Sequence, residues 1–163
     1  MRITESKLWR IIREELDETH DQVISRMLDM DPWTFDQDQE GWRSLPRELQ
    51  IDAIKAYISG PLEGWLIKPS QSGKHVGRST IIWHLGQALA IRGGPGDGVG
   101  AVGWMKRCKD PEDSQWNNYV DATIAFLEGD RAAFEEHAMG ENYNSSTLER
   151  LRVGWGKSYG EVY

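Results

Sequence analysis

The segment spanning residues 83–136 constrains the fold more than any other part of the chain. It begins WHLGQALAIRGG, crosses a glycine-rich stretch, and resumes WNNYVDATIAFLEGDRAAFEEH. Each half reads as a helix with an aromatic anchor, small residues at its middle and a glycine at its end. Gly93 and Gly129 stand where a helix stops. This is the pattern of stacked helical hairpins. It directs the chain to an all-α packing unit and away from a nucleotide-binding sheet. Alternating strand patterns are scarce in the rest of the sequence.

The same reading extends along the chain. Residues 4–29 predict one long amphipathic helix, because Leu8, Ile11, Ile12, Leu16, Val23, Met27 and Met30 share a face. Thr4 or Ser6 would cap it, and Asp31-Pro32 would end it. Residues 31–43 read as a loop whose aromatics Trp33, Phe35 and Trp42 fold back onto the core. Ser44 would cap a second helix with a buried stripe of Leu49, Ala53, Ile54, Tyr57 and Ile58. Residues 60–79 form the most loop-like stretch. Ser79 or Thr80 would open a third helix ending near Arg92, and residues 93–98 must turn. A short fourth helix is expected over 99–108, a fifth capped by Ser114, a sixth capped by Asp130 and a seventh capped by Ser145. The expectation is a single domain over 1–163: an all-α bundle of about seven helices, with repeat-like stacked hairpins over 80–139. The aromatic tail is expected to dock.

The length of 163 residues fits one core, and the net charge of −7 disfavours nucleic acid, whose phosphates need clustered Lys and Arg. The charge is uneven. Residues 61–110 carry 7 basic and 3 acidic side chains, a net +4 between two acidic flanks. That middle either packs against and neutralises the ends or receives an anion or an acidic partner. Cys108 is the single cysteine, so no internal disulfide is available, and a reducing compartment is the natural reading. The first residues lack the apolar run of a signal peptide, and no stretch approaches the ~20 apolar residues of a membrane span. A cytoplasmic location follows as the expectation.

Gly93 and Gly129 lie 36 residues apart, after helices of similar make-up. With small residues at the close contacts, Trp83 and Gly86 near the opening and Pro111 near the close, residues 80–139 resemble a degenerate pair of tetratricopeptide-type repeats. The phrase WNNYVDATIAFLEGDRAAFE is similar to a segment of uncharacterised bacterial proteins with repeat-like hairpins. The opening RITESKLWRIIREEL resembles the starts of small accessory proteins of phages and mobile elements. These resemblances imply a partner-binding stack and an origin. They carry no active site to transfer.

The motifs that promise chemistry are weak. Residues 98–103 match G-x-G-x-x-G, but no strand precedes them, so a helix–helix turn is the better reading. Ser72-Gly73-Lys74-His75 lacks the upstream glycine and the following Ser or Thr of a phosphate loop. The histidines (His20, His75, His84, His137) show no i, i+4 pair and no HExxH, so neither a metal nor any other cofactor is expected. No nucleophile elbow is present, and no catalytic residue is assigned. Cys108 follows Lys106 and Arg107, which would lower its pKa, although a small apolar residue at a helix end is the commoner case.

His84 and Gln87 share a helix face three residues apart. In a stack of hairpins, the first helices line one concave surface. Trp83, His84, Gln87, Trp116, Asn117 and Asp121 are therefore the candidate binding residues. Among eight tryptophans, Trp33, Trp42 and Trp65 lie in or beside loops and are the groove candidates. The leading expectation is a non-enzymatic module that binds a protein or peptide. The alternatives are a small-molecule binder or enzyme using a polar pocket near His84 and Gln87, and an acidic regulator or decoy. The long first helix could support a homodimer.

Overall fold

The computed structural model of the protein describes residues 19–60 and 76–163. Among the described residues there are nine helices and no strand. In order they are α1 (His20–Leu28), α2 (Pro32–Gln37), a 3-10 turn (Trp42–Ser44), α3 (Arg47–Ser59), α4 (Arg78–Arg92), α5 (Asp97–Lys106), α6 (Ser114–Glu128), α7 (Arg131–Ala138), α8 (Ser145–Val153) and α9 (Tyr159–Val162). The chain is an all-α bundle, as the hairpin pattern predicts. The two helices beyond the expected seven are the short α2 and α9.

The helix ends explain the differences. Thr19 has extended backbone and forms a capping box with Gln22, so α1 starts there. A continuous helix over 4–29 is therefore interrupted at Thr19; Leu8, Ile11, Leu16 and the dimer face drawn on them lie outside the described residues. Asp31-Pro32 acts as a start rather than only a stop. The Asp31 carboxylate accepts from the backbone N–H groups of Trp33 and Thr34, with proline in the first turn where its missing N–H costs nothing. Residues 32–37 are thus helical, not loop. Ser44 does not cap α3. Its hydroxyl donates to the Gly41 carbonyl at 2.7 Å, and Pro46 precedes the helix instead. Gly77 rather than Ser79 precedes α4, while Asp113 and Asn144 precede α6 and α8. Asp130 caps α7 through Ala133 N–H, as expected.

Gly100 and Gly103 are inside α5, as the helix expected over 99–108 requires, and Gly98 joins them; the turn is confined to residues 93–96 rather than 93–98. The reversal is made by Gly93 (φ 65°) and Gly96 (φ 81°), both left-handed. Asp97 then holds the turn, accepting from Gly94 N–H at 2.8 Å and from Arg92 at 2.6 and 2.7 Å.

Two hairpins, α4–α5 and α6–α7, pack side by side, with α3 on the other flank of α4. The α4–α5 contact is close because Gly86 presents no side chain. A Cβ there would stand 2.7 Å from Met105 Cγ and 3.2 Å from the Ala101 carbonyl. One core runs through the bundle, with Ile54, Ile81, Leu85, Met105, Val120 and Leu148 buried. Aromatic pairs join the layers. Phe35 of α2 stacks on Tyr57 of α3 with centroids 3.8 Å apart. Trp83 of α4 meets Trp116 of α6 edge-on at 5.3 Å. Phe126 meets Trp155 at 90° and 5.3 Å. Such pairs add about 0.5–1.5 kcal/mol each beyond burial. The tail docks as α9: Tyr159 is buried, and α9 packs on α4 with Gly160 against the Ile91 backbone.

Candidate functional site

Residues of α3, α4 and the 3-10 turn, with Tyr163 beyond α9, line a cavity of about 390 Å³. That volume falls within the ~300–1,000 Å³ typical of small-ligand sites. Its walls are unequal. Ile51, Ala88 and Ile91 give an apolar side, and the ring of Tyr163 is part of the lining. Trp42, Arg43, Arg47, Glu48, His84 and Gln87 supply polar and planar groups.

The polar side is built on Asp36, which is wholly buried behind the wall. Its Oδ1 accepts from His84 Nδ1 at 2.7 Å and from the Trp42 indole N–H at 3.0 Å. Its Oδ2 accepts from Gln37 Nε2 at 2.6 Å. Burial alone would raise the Asp36 carboxyl. The hydrogen bond and charge of His84, the indole of Trp42 and the charge of Arg43 outweigh it and hold the group below its ordinary value. A carboxylate only accepts, so His84 carries its proton on Nδ1. Arg43 Nη2 lies 3.2 Å from Nε2 and 3.4 Å from Nδ1, so the guanidinium nitrogen stands over the imidazole face rather than in line with the lone pair of either nitrogen. Arg43 is itself in cation–π contact with Trp42, its Cζ 4.2 Å from the ring centroid.

Gln87 is the second fixed group. It is 5% exposed, and its Nε2 donates to the Tyr159 hydroxyl at 3.1 Å. Burial raises the Tyr159 phenol well above its ordinary range, so it stays neutral. Among the described residues, no hydrogen bond engages the Gln87 carbonyl oxygen. Arg92 is paired with Asp97, whose carboxyl is held down at about 2 chiefly by the Arg92 hydrogen bond. Arg47 and Glu48 are exposed, and neither has an ion-pair partner among the described residues.

The six binding residues drawn from the sequence divide in two. His84 and Gln87 stand together on the cavity wall. Trp83 is on a different face of α4, 3% exposed against Trp116 and Tyr119. Trp116 donates its indole N–H to the Cys108 carbonyl at 2.7 Å. Asn117 pins the backbone of Asp110 in both directions, and Asp121 pairs with Lys109 at 2.8 Å. These three hold the α5–α6 connection and do not line the cavity. Of the tryptophans beside loops, Trp42 lines the cavity and Trp33 is half-buried on α2; Trp65 lies outside the described residues, as does the segment Ser72 to His75. Asp36, Arg43 and Arg47 were not legible as site residues. The one signal was their place in an aromatic-rich stretch, WTFDQDQEGWR.

Cys108 is wholly buried, and burial pushes its thiol up to about 12, against the smaller opposing effect of Arg107. It is not an activated thiol. Among the described residues, no group of three or more His, Cys, Asp or Glu could hold a metal ion, and no helix is long and apolar enough to cross a membrane. No family model, no curated protein and no solved structure matches this chain.

Proposed function

We propose that this protein binds a small organic ligand in the cavity between α3 and α4, without chemical conversion of it. The observation that carries this reading is the prior fixing of the cavity's polar groups. His84 is held by buried Asp36, and Gln87 by buried Tyr159, before any ligand is present. Groups locked by a supporting layer lose little freedom on binding, which is how a pocket gains affinity and selectivity. The apolar wall and the planar Trp42–Arg43 pair favour a partly apolar body with one polar end. The test is a thermal-shift and ligand-observed NMR screen of a fragment panel. Hits should lose their effect in Ala88→Trp, which fills the cavity from its apolar side. A panel in which no fragment binds the folded protein would sink the reading.

A protein partner is the second reading, and one observation favours it. On α5, Val99 is 82% exposed, and beside it Gly98 and Gly103 face open space over a groove of about 550 Å³. Sedimentation of wild type and Val99→Glu tests it: a mass that rises with concentration in the first and not in the second is the expected sign.

A further inference from the structure

Two polar groups of the cavity wall are held in place with hydrogen-bonding capacity left over. Gln87 lines the cavity and is 5% exposed. Its Nε2 is committed to the hydroxyl of buried Tyr159 at 3.1 Å, and among the described residues nothing donates to its Oε1. A buried acceptor without a donor costs free energy that a ligand N–H or O–H recovers. Arg43 is the converse case. Its guanidinium rests against the Trp42 ring and over the His84 imidazole. The Asp36 oxygen facing it is 3.8 Å away, beyond hydrogen-bond reach, and already accepts from His84 and Trp42. Among the described residues, no oxygen accepts from the Arg43 guanidinium.

The charges around the cavity balance. Arg43 stands near Asp36, Arg92 is matched by Asp97 at 2.6 Å, and Arg47 is followed by Glu48 on the same wall. An ion of either sign would leave a net charge in a partly closed space, at a cost that a neutral ligand does not carry.

We infer that the cavity takes a neutral carboxamide, whose N–H donates to Gln87 Oε1 and whose carbonyl accepts from Arg43. The inference rests on the small-ligand reading above. No bond is made or broken, and no proton is exchanged with His84. A carboxylate is an acceptor only, so it would meet Arg43 but set its lone pairs against those of Gln87 Oε1. An ammonium is a donor only, so it would meet Gln87 but confront the Arg43 cation. The two wall groups come from different elements, the 3-10 turn and α4, so donor and acceptor are best carried on two atoms, as an amide carries them. The apolar body lies along Ile51, Ala88 and Ile91.

The experiment is a protein-observed NMR titration at neutral pH with benzamide, benzoate and benzylamine, and with N-methylbenzamide beside methyl benzoate, which replaces the N–H with oxygen at equal size. Benzamide should bind at least about tenfold tighter than either ion, and N-methylbenzamide about tenfold tighter than the ester. Gln87→Met keeps the length of the side chain without the acceptor and should erase the difference between N-methylbenzamide and the ester. Because it also breaks the bond to Tyr159, Tyr159→Phe stands beside it: that variant loses the same bond, keeps Oε1 and should keep the preference. Arg43→Gln should weaken both amides severalfold. Benzoate binding as tightly as benzamide, the ester as tightly as N-methylbenzamide, or a preference that survives Gln87→Met overturns this inference and leaves the small-ligand reading standing. So does silence from all five compounds when other fragments bind. Silence from these and from the whole fragment panel overturns both.

Discussion

Asp36 and His84 lie 48 positions apart in the chain and 2.7 Å apart in the fold, Oδ1 to Nδ1. The same oxygen also accepts from Trp42. Replacing Asp36 with alanine leaves the buried Trp42 indole and the half-buried His84 imidazole without an acceptor. Urea denaturation should show a loss of about 3 kcal/mol. Asp36→Asn, which keeps one acceptor oxygen, should lose less.

The same carboxyl sets an acid limit. Its folded-state titration lies below the ordinary 3.8, so its contribution is complete above that value and is lost as the pH falls. Asp97, at about 2, acts in the same direction. Denaturation midpoints should therefore decline from about pH 4 downward, and the decline should be shallower in Asp36→Asn. A midpoint that stays level between pH 4 and 2 would contradict both assignments.

Two glycines of the α4–α5 pair should respond with opposite sign. Gly86→Ala drives a Cβ to 2.7 Å from Met105 Cγ and should destabilise by about 1–3 kcal/mol. Gly103→Ala meets open space inside a helix and should stabilise by about 0.5–1 kcal/mol. Thermal melts of the two variants read both.

Cys108 should resist thiol reagents in the native protein, since it is wholly buried and its thiol is raised to about 12. Its labelling rate should rise in urea in step with the loss of helical circular dichroism. Labelling at the rate of a free thiol without denaturant would refute its burial.

Tyr159→Phe removes the acceptor of the Gln87 amide while keeping the ring that Phe126 meets at 6.3 Å. It should cost about 1 kcal/mol, or roughly 2–4 °C in Tm. The freed amide should also alter fragment affinities in the cavity, whereas a purely structural hydroxyl would move Tm alone.

What could be read from the sequence followed local chemistry. Gly93 and Gly129 both end their helices in the left-handed region, at φ 65° and 75°, because that conformation favours glycine. Asp130 caps α7 as its side chain dictates. His84 and Gln87 share a wall because three residues span nearly one turn. What could not be read depends on distant partners. Arg43 belongs to the site through Trp42 and His84, and Asp36 through an imidazole from another helix. No spacing in the sequence encodes those meetings. The glycines of α5 pull the other way: three in six positions match a turn motif, yet the helix expected over 99–108 forms, with Gly100 packed on Leu89 and Ala101 near Gly86.

The reversals after α4 and α6 also carry a kinetic meaning. Each is made by a connection of a few residues, residues 93–96 and 129–130, whose closure entropy is small. The hairpins are therefore early events in folding. The cavity needs far longer closures, 48 positions for Asp36 to His84 and 72 for Gln87 to Tyr159. Its walls are expected to meet after the rate-determining barrier. A bound ligand should then slow unfolding and leave the refolding rate unchanged. Occupancy of the cavity would lengthen the lifetime of the native state without helping the chain to reach it.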